Sequence, residues 1–128
     1  MKVLLDTHTL LWAALSPSSL SRKTRTIIAD EANVILVSAA SAWELATKVR
    51  LGKLPGAETL ETEFLNVVDD AGYTLLAMEA ADALRAGRLP GEHRDPFDRM
   101  LAAQAIARDI PILSNDVRLD VFSVSRIW

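Results

Sequence analysis

Cysteine is absent from the 128 residues, which excludes disulfides, thiolate metal sites and thiol nucleophiles. Histidine is scarce: His8 and His93 are the only two, and without cysteine they cannot complete a zinc site of usual spacing. Aromatic residues make up 5% of the chain, whereas apolar residues make up 50%. That surplus, with a mean hydropathy of +0.18, is therefore aliphatic and alanine-rich, as in helices packed on a sheet. Part of it is expected to cover a partner surface. No apolar run approaches the roughly 20 residues needed to span a bilayer, and Asp6 breaks the first one. A cytoplasmic protein without membrane contact is expected. An excess of positive charge is missing too, and the net charge of −3 argues against a DNA-coating or membrane-surface protein. A metal-loaded nuclease stays open, because two divalent cations on four carboxylates would bring the formal charge to about +1. Neither a glycine-rich phosphate loop nor a serine elbow is present.

What is present reads as alternating strands and helices in one domain covering residues 1–128. Val3-Leu4-Leu5 is a buried strand ending at Asp6, and a helix follows from Thr7 to Leu15. The Ser16-Pro17-Ser18-Ser19 cluster stops it. Ser21 caps a second helix to about Ala32, and Val34 to Val37 is a second strand. Ser38 to Leu51 is helical and ends at Gly52, and Thr59 to Ala71 is amphipathic. Tyr73 to Leu76 is a third strand, and Glu79 to Ala86 a short helix before a polar loop from Gly87 to Arg94. Asp95 suits an N-cap and Pro96 the first helical position, with Phe97, Met100, Leu101, Gln104 and Ala105 on one face. Ile112-Leu113 is a fourth strand, and Val121 to Val124 is a candidate fifth. Strand runs apolar on both faces imply a three-layer α/β/α sandwich around a mainly parallel sheet of four or five strands.

Four acids call for an explanation. Asp6 and Asp116 each follow the carboxyl end of a strand, where ligands bind in open parallel sheets. Glu44 and Asp98 sit near helix starts. Converging carboxylates repel and raise one another's pKa, and cations relieve that strain. An all-oxygen set favours Mg²⁺ or Mn²⁺. Each acid also has an ordinary reading. Asp6 can simply end a strand, and Asp116 can be a turn residue with Asp120 as a rival. Glu44 completes a capping box with Ser41, or pairs with Lys48 at i+4. Asp98 suits a helix N-terminus through the dipole alone. The basic residues Lys48, Arg50 and Lys53 near Glu44, and Arg94 and Arg99 beside Asp98, border these acids and can meet phosphates. His93 reads as a solvated loop residue.

In combination, Leu5-Asp6-Thr7-His8, Ser38-Ala-Ala-Ser-Ala-Trp-Glu44-Leu-Ala-Thr-Lys48 with Gly52-Lys53-Leu54, His93-Arg-Asp-Pro-Phe-Asp98-Arg-Met-Leu-Ala-Ala-Gln-Ala105, and Ile112-Leu-Ser-Asn-Asp116 resemble PIN domains in order and spacing. More narrowly, they resemble VapC-type toxins of type II toxin–antitoxin pairs, over nearly the whole chain. The resemblance implies a PIN-like fold and an acidic quartet at Asp6, Glu44, Asp98 and Asp116, with Ser114 helping to hold the site. Asp6 and Asp98 are expected as direct metal ligands, with Glu44 and Asp116 ligating directly or through water. It further implies a Mg²⁺- or Mn²⁺-dependent endoribonuclease that hydrolyses RNA with metal-activated water, restrained by an antitoxin and assembled as a homodimer. Asp95 matches no quartet position and reads as the helix cap.

Rival classes fit less well. A Mg²⁺-dependent phosphatase needs a second Asp two residues after the first, where this chain has His8. A phospho-receiver needs a late Lys, and residues 101–128 contain none. The non-enzyme alternative is a PIN-like module that only binds RNA or a protein.

Overall fold

The computed structural model describes residues 1–128. Five strands, β1 (Lys2–Leu5), β2 (Val34–Ser38), β3 (Thr74–Leu76), β4 (Ile112–Leu113) and β5 (Arg126–Ile127), form one sheet in the order β3-β2-β1-β4-β5. Every pairing is parallel. The chain builds outward from β1 through β2 to β3, then returns to the other side of β1 for β4 and β5. Strand order therefore reverses between β1 and β4, and the carboxyl ends of these two strands flank a crevice.

Alternation along each strand explains the uninterrupted apolar runs. Val3, Leu5, Ile35, Val37 and Leu113 point into one core, while Leu4, Leu36 and Ile112 point into the other. The first core is closed by α1 (Thr7–Leu15), α2 (Arg22–Ala29), α3 (Ala39–Arg50), α4 (Glu58–Thr62) and α5 (Phe64–Asp70). The second is closed mainly by α7 (Pro96–Arg108) through Leu101, Ala102 and Ala105, and α6 (Ala80–Arg88) packs on α7. Each fully buried leucine contributes about 1.5–3 kcal/mol, so the sheet needs no staple. No helix is long and apolar enough to cross a membrane.

The expected elements differ from the structure in three places. The single helix expected over Thr59 to Ala71 is two, broken at Glu63. There Thr62 turns its hydroxyl back onto the Glu58 carbonyl, 3.1 Å away, in competition with the helical ladder. The helix after Ser21 stops at Ala29, because the Asp30 carboxylate accepts from the Ala32 amide at 2.9 Å and turns the chain. The candidate strand Val121 to Val124 is not a strand. Val117–Phe122 forms a 3-10 helix whose three-residue period buries both Leu119 and Phe122, and β5 comes later at the sheet edge.

Candidate active site

Asp6 leaves β1 as the N-cap residue of α1, but its side chain caps nothing. Instead Asp6 Oδ2 accepts a 2.6 Å hydrogen bond from Ser114 Oγ, just beyond the end of β4. The same hydroxyl oxygen accepts from the Asp116 amide at 3.0 Å, so one serine spans the crevice between the two strand ends. Thr9 Oγ1 donates to the Leu113 carbonyl at 2.7 Å and Thr7 Oγ1 to Ser41 Oγ at 2.9 Å, fastening α1 to β4 and α3. These buried bonds fix Asp6 in place.

Glu44 is carried by α3. That helix begins at Ser38, whose hydroxyl accepts from the Ala40 amide, three residues earlier than the Ser41 capping box requires. The capping-box reading of Glu44 therefore fails, and Ser41 is instead a buried partner of Thr7. The i+4 reading holds: Glu44 Oε2 pairs with Lys48 Nζ. Glu44 Oε1 is buried with no partner at all.

Asp98 lies in the first turn of α7, where Asp95 caps the helix by accepting from the Phe97 and Asp98 amides at 2.9 and 3.2 Å. Asp98 Oδ2 meets His93 Nε2 at 2.6 Å, and the imidazole stacks against Phe122. His93 is thus a packed partner of Asp98, not a solvated loop residue. Asp116 accepts from the Arg118 guanidinium at 2.8 Å and caps the 3-10 turn. Asp120 pairs with Arg126 in the open instead.

Asp6, Glu44, Asp98 and Asp116 line one cleft of about 420 Å³, together with Lys48, Asp95 and Arg118. Burial pushes the Asp6 carboxyl up, with the Glu44 charge adding to it against the Ser114 hydrogen bond. Burial pushes Asp98 up to about 6, reinforced by the charges of Asp6, Asp95 and Glu44 and opposed by the His93 bond. Asp116 is held low by hydrogen bonding to Arg118. The cleft thus holds costly charge at one end and compensated charge at the other.

No three of these acids are disposed to share one ion as arranged, because each is turned to a partner within the chain. The donor set still suits a hard divalent cation. It is all carboxylate oxygen, and one oxygen, Glu44 Oε1, sits buried without a partner. A cation would take the place of Lys48 at Glu44 and supply the missing partner.

Two supporting expectations are corrected. Arg99 does not face the cleft. Its guanidinium donates to the carbonyls of Ala86 and His93 at 3.0 Å, to Gly91 at 3.4 Å and to Leu89, and lies over the Phe122 ring. It ties the end of α6 to the loop that delivers His93, with four of its five N–H groups engaged on carbonyls. Arg94 is exposed and faces a neighbouring depression with Gly91, Glu92 and His93, outside the acidic cleft. Lys48 lines the cleft as expected. Arg99→Ala is expected to cost about 2–4 kcal/mol in denaturant unfolding, because it strands several carbonyls at once. Arg99→Lys should recover only a minor part, since an ammonium lacks the planar fork.

A model of the PIN domain family matches residues 3–124. Over 36 residues the chain is 61% identical to Ribonuclease VapC16 of Mycobacterium tuberculosis, a stretch that covers 28% of this chain and 26% of that protein. The match thus spans about a quarter of that relative's length. Among solved structures, VapBC2 from Rickettsia felis bound to a DNA fragment from its promoter superposes with a TM-score of 0.70 at 16% identity, covering 100% of this chain and 99% of that one. FitAcB from Neisseria gonorrhoeae gives 0.65 at 19% identity, with 98% and 96% covered. At these identities the likeness establishes the fold.

Proposed function

The chain belongs to the PIN domain family, and from that footing we propose that residues 1–128 form one nuclease domain whose acidic cleft hydrolyses RNA phosphodiester bonds as the toxin of a toxin–antitoxin pair. The observation that carries this reading is the convergence of Asp6, Glu44, Asp98 and Asp116, distant in sequence, on one cleft at the sheet's switch point. Burial and mutual repulsion raise the pKa of Asp6 and Asp98 in spite of their partners, so gathering these acids costs stability and calls for a use.

In this reading Asp6 and Asp98 hold a Mg²⁺ or Mn²⁺ ion directly, with Glu44 and Asp116 completing the set directly or through water. Such an ion supplies an activated water and a counter-charge for the phosphate. The protein's own contribution is placement. Ser114 aims Asp6 by hydrogen bonding to Oδ2, and His93 holds Asp98 from the far side. Lys48 and Arg118 line the same cleft and offer positive charge to the strand's phosphates once released from their acids. Asp6, Glu44 and Asp98 are buried, so charge placed among them acts in a lower dielectric than water.

The ribonuclease name of the relative and the toxin–antitoxin complexes among similar folds support the RNA substrate and the antitoxin partner. The antitoxin would cover the cleft and place a basic side chain among the acids. Exposed Trp43, Leu51 and Leu65 offer apolar surface for it or for a second copy of the chain in a homodimer. A cytoplasmic setting fits such a pair.

Incubation of the purified protein with transfer, ribosomal and messenger RNA, with and without Mn²⁺, tests the reading. Discrete internal cuts that need Mn²⁺ and vanish with chelator are expected. Intact RNA throughout the panel would leave only a PIN-like binding module.

A further inference from the structure

The cleft has an aromatic side that the acids do not explain. His8 and Trp12 lie four residues apart on α1, the helix that starts directly after Asp6, so they share a face. Both line the acidic cleft. Their rings are 5.8 Å apart, and Trp12 is in turn 5.7 Å from Trp128, which follows β5. Neither tryptophan belongs to the two hydrophobic cores, although Ile127 next to Trp128 packs against one of them. Both indoles are half-buried and His8 is exposed. In a chain with so few aromatics, one of three tryptophans therefore lines a charged cleft and a second packs against it.

Chemically, the lining combines three things. Arg118, with its side chain 68% exposed, and Lys48 supply cations. The quartet supplies the acids. Trp12 supplies a flat apolar surface. A nucleotide presents the complementary set, a phosphate for the cations and a π-face for the indole. A base inside a duplex is already stacked on both sides and offers no free face. An unpaired base does.

Resting on the nuclease reading of this cleft, we propose that Trp12, flanked by His8 and Trp128, is a stacking platform for an unpaired nucleobase of the strand being cut. Base identity matters little at this position, because every base has a π-face.

The test is fluorescence polarisation with labelled hexanucleotides in the presence of Mn²⁺, using Asp98→Asn protein so that the strand is held and not cut. An oligouridylate or oligoadenylate should bind about 10-fold more tightly than an abasic ribose-phosphate hexamer of equal charge. That difference should collapse in Trp12→Leu, largely survive in Trp12→Phe, and shrink about two- to threefold in Trp128→Leu. A blunt G·C duplex of hexamer strands, which leaves no base unpaired, should show no base-dependent gain over the abasic strand. Circular dichroism checks that the variants are folded, and Trp12→Phe keeps the test decisive if Trp12→Leu is not. Equal binding of base-bearing and abasic strands overturns the platform and leaves Trp12 to a protein partner. The two readings separate cleanly: cleavage without base-dependent binding keeps the nuclease and removes the platform, whereas base-dependent binding lost with Trp12 supports the platform even if no RNA is cut.

Discussion

Asp6→Asn should lower RNA cleavage at least about 100-fold while leaving the protein as stable as before or more so in metal-free buffer at pH 7.5. The substitution keeps volume and shape, and the amide oxygen can still accept from Ser114 Oγ. What disappears is the negative charge. Burial raises the folded-state pKa of Asp6, with Glu44 adding to the effect. A carboxyl whose folded pKa lies above its unfolded value contributes stability below the unfolded pKa and loses it as pH rises through the folded value. At neutral pH the ionised Asp6 is therefore a liability to the fold, and the neutral amide relieves it. Initial cleavage rates together with denaturant midpoints check both halves. Wild-type rates would remove Asp6 from the site. A loss of more than about 1 kcal/mol in unfolding free energy, read from the midpoint and slope, would contradict the strained-carboxylate account.

Metal and proton should compete in the same way at Asp98. Its carboxyl sits at about 6 because of burial and the neighbouring acids. Between the usual carboxylate value and 6 the folded protein binds more protons than the unfolded chain, so metal-free stability falls as pH climbs through that window. The expected loss from pH 4.5 to pH 7.5 is on the order of 2 kcal/mol. Asp82 and Asp116 do not blur this window. Their pKa values are depressed, Asp82 against its burial by Arg108 and Asp116 by Arg118, so their contributions are lost only at lower pH. Mn²⁺ at about a hundred times its dissociation constant should restore roughly 2.7 kcal/mol. The melting temperature at pH 7.5 should then rise on the order of 10 °C. Asp98→Asn should lose the Asp98 share of the pH-dependent loss, keeping only that of Asp6, and most of the Mn²⁺ gain. Thermal melts of both proteins, with and without Mn²⁺ at the two pH values, decide it. An Asp98→Asn protein stabilised by Mn²⁺ as strongly as wild type would take Asp98 out of the ligand set.

Local chemistry made part of this architecture legible. Val3-Leu4-Leu5 running into Asp6 marked the first strand end, and Asp95-Pro96 marked the start of α7 to the residue. Where two signals of equal local quality competed, tertiary contacts decided. Ser38 and Ser41 can both begin a helix, and the bond from Thr7 to Ser41 belongs to another element altogether. His93 looked like loop polarity because its partner depends on how the segment before α7 folds back. That fold-back is set by Arg99, whose four carbonyl acceptors leave no trace in spacing or composition. The 3-10 turn over Val117–Phe122 did carry a signal, the pair Leu119 and Phe122 three residues apart, though β-branched Val121 and Val124 obscured it. Trp128 reaching Trp12 joins the two ends of the sequence, a contact that no local pattern encodes.

Because β1 sits between β2 and β4, the crevice has one wall made first and the other made last. A ribosome that has released Asp6, Glu44 and Asp98 has still to deliver Ser114 and Asp116, and until then the far side of β1 has no neighbour. N-terminal parts of a domain emerge and begin to fold first, but here they cannot yet form the cleft. A stalled or prematurely terminated product therefore lacks one wall of the cleft and the serine that holds Asp6.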